Sequence, residues 1–283
     1  MPATSQQEAR AALEAAGQLD DSELDIAAVA LQFARIDAPD ADWRAAAAEL
    51  SAIARRAVEL AAADRDADGG QPEPRRRVLA RLLHGEWGFH GDSETYEDMA
   101  NANLIRVIER RRGLPVALGI LWLHASEAVG WAAHGVNTPG HFLLALEHAR
   151  GQIILDAFDE GRQLQPHQLR EIARRGQGDQ PLLPPAALAP MSKRDVLLRL
   201  QNNIKLRRLS ARDFEGALVC TRDMLRLAPR HATLWREAGM IEHHLERIGA
   251  ALQSLEKSLE LEPRGEAAIQ TRELLESLRN RLN

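Results

Sequence analysis

Hydrophobic residues recur with the period of an α-helix over the first half of the chain. Residues 5–64 carry small and aliphatic side chains three and four positions apart, and Trp43–Ala63 has the broadest apolar face. Further helices are predicted at residues 76–87 and 104–111. Pro115–Val129 is apolar on nearly all sides, so it predicts a buried helix with a proline in its first turn.

After residue 130 the hydrophobic period changes to two, which is typical of β-strands. Strands are predicted at residues 131–136, 141–146 and 152–158. The turn between the first two strands is predicted to consist of Asn137, Thr138, Pro139 and Gly140.

The loop expected at residues 147–150 sets the register of the last two strands. With this loop Leu146 pairs with Gly151, and His141 lies directly opposite Asp156. Opposed residues on antiparallel strands have Cβ atoms about 4.5–5.5 Å apart, so the two side chains would meet. A slip of one residue would place them on opposite faces, so the prediction depends on this register.

Two stretches interrupt the predicted elements. Residues 64–75 contain acidic residues, a Gly-Gly pair and two prolines, so a linker or an exposed loop is predicted there. Residues 178–191 are rich in proline and predict a linker between domains. The first domain is therefore expected to comprise residues 1–177, with a helical part over 1–64 and a core over 76–177.

A repeat follows the predicted linker. Leu227-Ala228-Pro229 recurs 34 residues later as Leu261-Glu262-Pro263. The second repeat resembles a tetratricopeptide repeat, and the residues that carry this resemblance are Trp235, Ala238, Gly239, Ala251, Leu255 and Pro263. The first repeat is degenerate, and residues 266–282 predict a capping helix. Residues 192–283 are therefore expected to form a short all-α domain of tetratricopeptide-like repeats.

Composition and charge narrow the class of protein. The chain has 283 residues with 45% hydrophobic, 27% charged and only 4% aromatic residues, as expected for a helix-rich globular protein. The net charge of −5, with both signs mixed, gives no basis for a nucleic-acid or membrane partner. A single cysteine, Cys220, favours a reducing compartment. There is no signal-peptide pattern and no apolar run of about 18 residues, so a cytoplasmic protein is expected.

His141 and Asp156 are the residues best suited to chemistry. A carboxylate that accepts a proton from one ring nitrogen orients the other, which is half of a catalytic triad. The same contact can also be purely structural. The nucleophile is not evident, because Cys220 lies in the repeats and Ser126 lies in the middle of a helix, whereas Thr138 stays a candidate. The ten histidines include no HExxH motif, so neither a metal site nor a cofactor is predicted.

Several short motifs resemble those of a known family. They are Gly88-Phe89 with Gly91, Tyr96, Asn101-Ala102-Asn103, Arg111-Arg112-Gly113-Leu114-Pro115, Gly135-Val136-Asn137, Pro139-Gly140-His141-Phe142 and Leu155-Asp156-Ala157-Phe158. With these motifs the chain resembles the transglutaminase-like superfamily, which has a papain-like fold. More closely it resembles the bacterial transglutaminase-like/tetratricopeptide proteins of the SirB-one type. The resemblance covers nearly the whole chain.

The resemblance implies a cysteine at a helix start, a histidine on one strand and an aspartate on the next. His141 and Asp156 match the last two. The cysteine would fall at position 115, where this chain has a proline. The resemblance therefore implies that the thiol chemistry of the superfamily is not available here. The remaining residues predicted to line a cleft or binding site are Asn103, Arg112, Gly113, Pro115, Asn137, Pro139, Gly140 and Phe142.

The expected fold is α+β. A helix-rich transglutaminase-like domain with a small antiparallel sheet precedes the short all-α repeat domain. The favoured function is a non-catalytic binding or regulatory protein, a pseudoenzyme, that holds a protein or peptide partner in the cleft or on the repeats. The alternative is an amide or ester hydrolase in which His141 acts as a general base.

Overall fold

The computed structural model of the protein describes residues 2–69, 71–138, 140–148, 151–177 and 189–280. Its contacts divide the chain into two units. The first unit comprises Met1–Ala9 and Asp20–Leu200, and the second comprises Arg10–Leu19 and Gln201–Asn283. Among the described residues, no helix is long and apolar enough to cross a membrane.

Helices dominate the chain up to residue 177. In chain order they are α1 (Pro2–Ala16), α2 (Ile26–Asp37), α3 (Trp43–Ala63), α4 (Arg65–Asp68), α5 (Pro72–Ala80), α6 (Leu104–Arg110), α7 (Pro115–Val129) and α8 (Pro166–Gln177). Short 3-10 segments lie at Asp21–Glu23 and Met99–Ala102, and a π-helical segment, Arg81–Glu86, continues α5.

The predicted loop at residues 64–75 is wrong in part, because it contains α4 and the start of α5. The Asp64 carboxylate accepts hydrogen bonds from the main-chain N–H groups of Asp66 and Ala67 at 3.0 and 3.2 Å, which caps α4. Pro72 occupies the first turn of α5, where a missing N–H is tolerated. Asp64 and Pro72, which favour a loop in the sequence, therefore mark the starts of α4 and α5.

Strands form two small sheets. β1 (His90–Gly91) and β2 (Arg112–Gly113) pair in parallel. The other sheet is antiparallel and has the order β6-β5-β4-β3-β7. Its strands are β3 (Ala133–Thr138), β4 (His141–His148), β5 (Gly151–Asp156), β6 (Arg162–Gln163) and β7 (Pro190–Met191).

The first hairpin of this sheet differs from the prediction. Asn137 and Thr138 are expected from the sequence in the turn, but they end β3 and pair with Phe142 and His141. Gly140 has a φ of +74°, a conformation that glycine adopts readily in turns. The predicted turn residue Pro139 lies outside the described residues.

The end of the Pro-rich stretch belongs to the sheet. Pro190 pairs with Val136, and Met191 pairs with Gly135, so this edge of β3 is partly covered. Two residues suffice for this pairing, too few for a hydrophobic period to indicate a strand. Residues 178–188 of the predicted linker lie outside the described residues.

Helix α7 lies against the sheet, as its apolar sequence predicts. Its bounds are those predicted, with Pro115 in the first turn and Gly130 ending it at a φ of +75°. A Cβ on Gly119 would lie 2.3 Å from the Phe142 ring, so the helix and β4 approach closely at this glycine. The α+β prediction for this part of the chain is confirmed.

The remaining helices belong mostly to the second unit. They are α9 (Lys193–Ser210), α10 (Phe214–Leu227), α11 (Ala232–His244), α12 (Ile248–Leu261) and α13 (Glu266–Asn280). Ala217 and Ala251, which the repeat aligns, are both fully buried. A Cβ on Gly239 would lie 2.6 Å from Leu255, as expected for a close helix crossing in a repeat. Residues 281 and 282 of the predicted capping helix lie outside the described residues.

The second unit also includes residues from the first helix of the chain. Arg10 Nε lies 3.0 Å from Asp223 Oδ1 on α10, and Asp223 is buried. Nothing in the hydrophobic pattern of α1 indicates that Arg10–Leu19 groups with the repeats.

Candidate functional site

The sheet brings His141 and Asp156 together through a register that differs from the predicted one. Leu144 pairs with Leu155 and His148 pairs with Gly151, so the predicted pairing of Leu146 with Gly151 is wrong by two residues. The physical reason is that β4 continues to His148, two residues beyond the predicted end. A shift of two residues preserves the face of each side chain, so the two residues are diagonal neighbours instead of opposed ones.

The contact between the two side chains is nevertheless formed. His141 Nε2 lies 2.8 Å from Asp156 Oδ2. The other carboxylate oxygen of Asp156, Oδ1, accepts a hydrogen bond from the main-chain N–H of Phe158 at 3.0 Å. The Asp156 carboxylate is therefore held from two sides, and it has only 9% side-chain exposure.

The neutral imidazole of His141 has a defined tautomer in this arrangement. Because Nε2 faces a carboxylate, Nε2 carries the proton and Nδ1 carries the lone pair. No described residue hydrogen-bonds to Nδ1, and the side chain is 24% exposed. This ring nitrogen can therefore accept a proton or a hydrogen bond from a bound molecule.

The position at which the resemblance implies a nucleophile contains no reactive group. Pro115 is the first residue of α7, follows the N-cap residue Leu114 and is buried. A proline is well suited to this place in a helix, since the N–H that it lacks has no partner within the helix. It supplies neither a thiol nor a hydroxyl.

The other candidate nucleophiles have structural hydrogen bonds. Thr138 is fully buried, and its hydroxyl donates to the main-chain oxygen of His141 at 2.6 Å. The Ser126 hydroxyl donates to Trp122 O at 2.8 Å within α7. Cys220 lies in the second unit, is buried, and has its sulfur 3.6 Å from Gln201 O. Each group is therefore occupied in holding the fold.

Three of the predicted cleft residues have roles in the fold. Asn103 caps α6 by accepting from Arg106 N at 3.2 Å, and it donates to Ala34 O at 3.0 Å. Arg112 is 44% exposed and pairs with Glu94 at 3.3 Å. Gly113 lies in β2, where a Cβ would be 3.0 Å from the methyl groups of Val107. None of these described contacts joins them to the His141–Asp156 pair.

Two other predicted residues lie beside the pair. Asn137 is exposed and directly follows Val136 on β3, and Phe142 directly follows His141 and is buried against α7. Both contact Arg199, which no motif in the sequence indicates. Arg199 Nη1 donates to the Asn137 side chain, and its guanidinium carbon lies 5.8 Å from the centre of the Phe142 ring.

Arg199 also binds the main chain of the hairpin. Its Nη2 donates to Thr138 O at 3.2 Å and to His141 O at 2.8 Å. Burial lowers the pKa of Arg199 below its usual value, and the nearby Tyr96 hydroxyl opposes this effect. No motif could identify Arg199, because it lies 58 residues beyond His141 in a helix assigned from sequence to the repeats.

Within the part of the chain that the structure describes, no group of three His, Cys, Asp or Glu side chains could hold a metal ion. The site presents an oriented imidazole beside a carboxylate. This pair can exchange a proton or accept a hydrogen bond, but it has no covalent partner of its own among the described residues.

Comparison with known proteins supports both parts of this description. The profile of the transglutaminase-like superfamily matches residues 44–202, and a tetratricopeptide-repeat profile matches residues 204–276. A UPF0162 protein of Xylella fastidiosa strain Temecula1 is 28% identical over 248 residues, covering 87% of this chain and 86% of its own. A UPF0162 protein of Vibrio cholerae serotype O1 is 29% identical over 265 residues, covering 93% and 94% of the two chains.

A more distant similarity extends to a mouse protein. The mouse F-box only protein 21 is 32% identical over 91 residues, which are 29% of this chain and 14% of that protein. No solved structure matches the chain. Because the superfamily profile covers more than half of the sequence and includes both His141 and Asp156, this chain belongs to the transglutaminase-like superfamily.

Proposed function

We propose that the chain is a non-catalytic protein-binding protein, a pseudoenzyme built on a transglutaminase-like scaffold. The observation that carries this proposal is Pro115 at the start of α7, where the superfamily resemblance implies a nucleophilic cysteine. An oriented His141–Asp156 pair without a nucleophile can still present a hydrogen-bond acceptor to a partner. The proposed partner is a protein or peptide, held in the cleft or on the repeats.

Two exposed apolar side chains of the second unit support this proposal. Leu206 on α9 and Met240 on α11 are 34 residues apart, so they occupy equivalent positions in consecutive repeats. Each is 52% exposed, which is high for a large apolar side chain. Exposed apolar residues at equivalent repeat positions are suited to an apolar segment of a partner.

Capture experiments with single variants test the binding proposal. The full chain is immobilised and exposed to an extract of the native cell, with Leu206→Glu and Met240→Glu as surface variants and His141→Ala as the cleft variant. Val58→Glu is the matched control, because Val58 is 47% exposed on α3 in the first unit. A partner on the repeats is lost from the first two variants, and a partner in the cleft is lost from the third.

The same variants can refute the proposal. A partner that survives all three substitutions, or that is lost equally with Val58→Glu, would speak against both proposed surfaces. Turnover of an amide or ester by the highly purified parent, abolished by His141→Ala, would show that the protein is an enzyme and not a pseudoenzyme.

The second candidate function is an amide or ester hydrolase. It is favoured by the His141 ring, whose Nδ1 has no described partner and whose side chain is 24% exposed. In this hypothesis Nδ1 acts as a general base on a water held within about 3 Å. Asp156→Asn would then lower turnover without removing the imidazole, because it weakens the orientation of the ring.

We also propose that the chain is of the SirB-one type and acts in the cytoplasm. The motifs that end in His141-Phe142 and Asp156-Ala157-Phe158, followed by the repeats, support the first point. The single buried cysteine, Cys220, supports the second, because it is typical of a reducing compartment. Localisation of a tagged full-length chain in its native cell tests the compartment.

A further inference from the structure

We infer that Arg199 is the positioning residue of the His141–Asp156 pair. Its guanidinium binds three acceptors at the end of one hairpin: the Asn137 side chain and the main-chain oxygens of Thr138 and His141. By holding these groups together it keeps the hairpin closed and the imidazole within hydrogen-bonding reach of Asp156.

His141 needs such support because the described strand pairs join it to β3 but not to β5. It is the first residue of β4, and its partner Thr138 is the last residue of β3. The described pairing between β4 and β5 ends at Leu144 and Leu155. His141 therefore contacts β5 through its side chain. Because the ends of strands open more readily than their middles, this contact needs further support.

Three contacts of Arg199 fit a positioning role. They join its guanidinium to carbonyl and amide oxygens at the end of the hairpin, and the guanidinium lies over the Phe142 ring. Burying a cation is costly unless its N–H groups are bonded, so these acceptors are needed to keep the guanidinium in this place. The His141 carbonyl accepts from both Arg199 and the Thr138 hydroxyl, which fixes the main chain of the histidine.

Lysine cannot reproduce this arrangement. A guanidinium is a planar fork whose N–H groups point in fixed directions, whereas an ammonium is a single point of charge on a flexible chain. Arg199→Lys therefore keeps the charge but loses simultaneous contact with the three acceptors. Arg199→Gln removes the charge as well.

The inference deepens the proposed function, since it assumes that His141 is the residue the site uses. Its test measures NMR signals of the His141 imidazole and needs neither partner nor substrate. A failed partner capture would therefore leave the outcome for Arg199 unaffected, and the two failures can be told apart.

The experiment is nitrogen-15 NMR of the histidine rings in the full chain at a pH where the imidazole is neutral, with His141→Ala used for assignment. In the parent we expect His141 to carry its proton on Nε2. Asp156→Ala, which removes the acceptor, defines the ring signals of an unsupported histidine. Arg199→Gln and Arg199→Lys should both move the His141 signals toward those values. Arg106→Gln is the arginine control, because Arg106 is 41% exposed and pairs with Glu109 on its own helix, α6.

The nitrogen-15 signals of the His141 ring decide the result. Thermal melting is used only to show that each variant is folded. Unchanged ring signals in folded Arg199→Gln and Arg199→Lys would overturn the inference, even if both melt earlier. An equal shift in Arg106→Gln would overturn it too, because the effect would then not be specific to the hairpin. If Arg199→Gln does not fold, Arg199→Lys alone decides by the same criterion.

Discussion

His141 and Asp156 form a 2.8 Å hydrogen bond across two strands although they are not directly opposed. Continuing the register of β4 and β5 by one residue places Leu143 opposite Asp156, and His141 is two residues further along on the same face. Diagonal neighbours on paired strands lie about 7–8 Å apart, and the length of the imidazole bridges this separation. The pair thus depends on the rotamer of a strand-end residue and not on the ladder alone.

The first prediction concerns the strength of this bond. Asp156→Ala leaves the partly buried His141 Nε2 without its acceptor and should lower the free energy of unfolding by about 1–3 kcal/mol. Denaturant unfolding of parent and variant measures the difference.

A second histidine–carboxylate pair on the same sheet serves as the control. His134 Nδ1 lies 2.9 Å from Glu147 Oε1, but Glu147 is 50% exposed. Glu147→Ala should therefore cost less than about 1 kcal/mol, because water replaces an exposed carboxylate. Equal stability of Asp156→Ala and the parent would show that the pair contributes nothing to the fold.

The second prediction places a thiol at the start of α7. In Pro115→Cys the thiol lies at a helix N-terminus, which lowers its pKa, but position 115 is buried, which raises the pKa and shields the sulfur. We therefore expect slow alkylation of the native variant and rapid alkylation after unfolding, followed as a function of pH by mass spectrometry.

The parent supplies the reference for this experiment, because its single thiol, Cys220, is only 4% exposed. Cys220 should react only after unfolding. Rapid alkylation of native Pro115→Cys would contradict the burial of position 115 and would show that the start of α7 is open to small molecules.

The third prediction tests the close approach of α7 and β4. A Cβ at position 119 would lie 2.3 Å from the Phe142 ring, so Gly119→Ala forces the helix and strand apart. We expect a loss of about 1–3 kcal/mol, as for other overpacked cores. Gly249→Ala on α12 is the control, because nothing lies within 4 Å of the added methyl group. It should leave stability unchanged or raise it by up to about 1 kcal/mol. Equal effects of the two substitutions would contradict the described packing.

The sequence predicts those features that depend on long, strong patterns. The buried helix Pro115–Val129 and the second repeat are predictable because apolar periodicity and small residues at fixed spacing are local signals. The meeting of His141 with Asp156 is predicted through a register that is wrong by two residues. The contact still forms because an even shift keeps side chains on the same face.

Features that depend on distant contacts could not be predicted in this way. Arg199 contacts a hairpin about 60 residues before it, and Arg10 pairs with Asp223 across 213 residues of sequence. One arginine among many carries no local signal for such a contact. The β7 strand cannot be predicted for another reason. It consists of the last two residues of the proline-rich stretch, and two residues are too few to show a period of two.

The last prediction concerns the pH dependence of stability through His84, which lies in the π-helical segment after α5. Burial lowers the pKa of His84 below the usual 6.5, and its hydrogen bond with Phe89 O opposes this effect. Trp122 Nε1 donates to His84 Nε2 at 3.3 Å, while Nδ1 faces Phe89 O. Both ring nitrogens are therefore used by the neutral form. Protonation of the ring would place a second ring proton on Nε2, where it would meet the indole N–H of Trp122.

The sign of the effect follows from these contacts. Below about pH 6.5 the unfolded chain binds a proton at His84 that the folded chain resists, so stability falls as the pH decreases through this range. His84→Gln provides the comparison, because an amide can accept from Trp122 and donate to Phe89 O without titrating. Denaturant unfolding between pH 7.5 and about pH 5 should show a steeper loss for the parent than for the variant. Parallel curves would mean that His84 is protonated in the folded state as readily as in the unfolded one, and that its bond with Trp122 is not maintained.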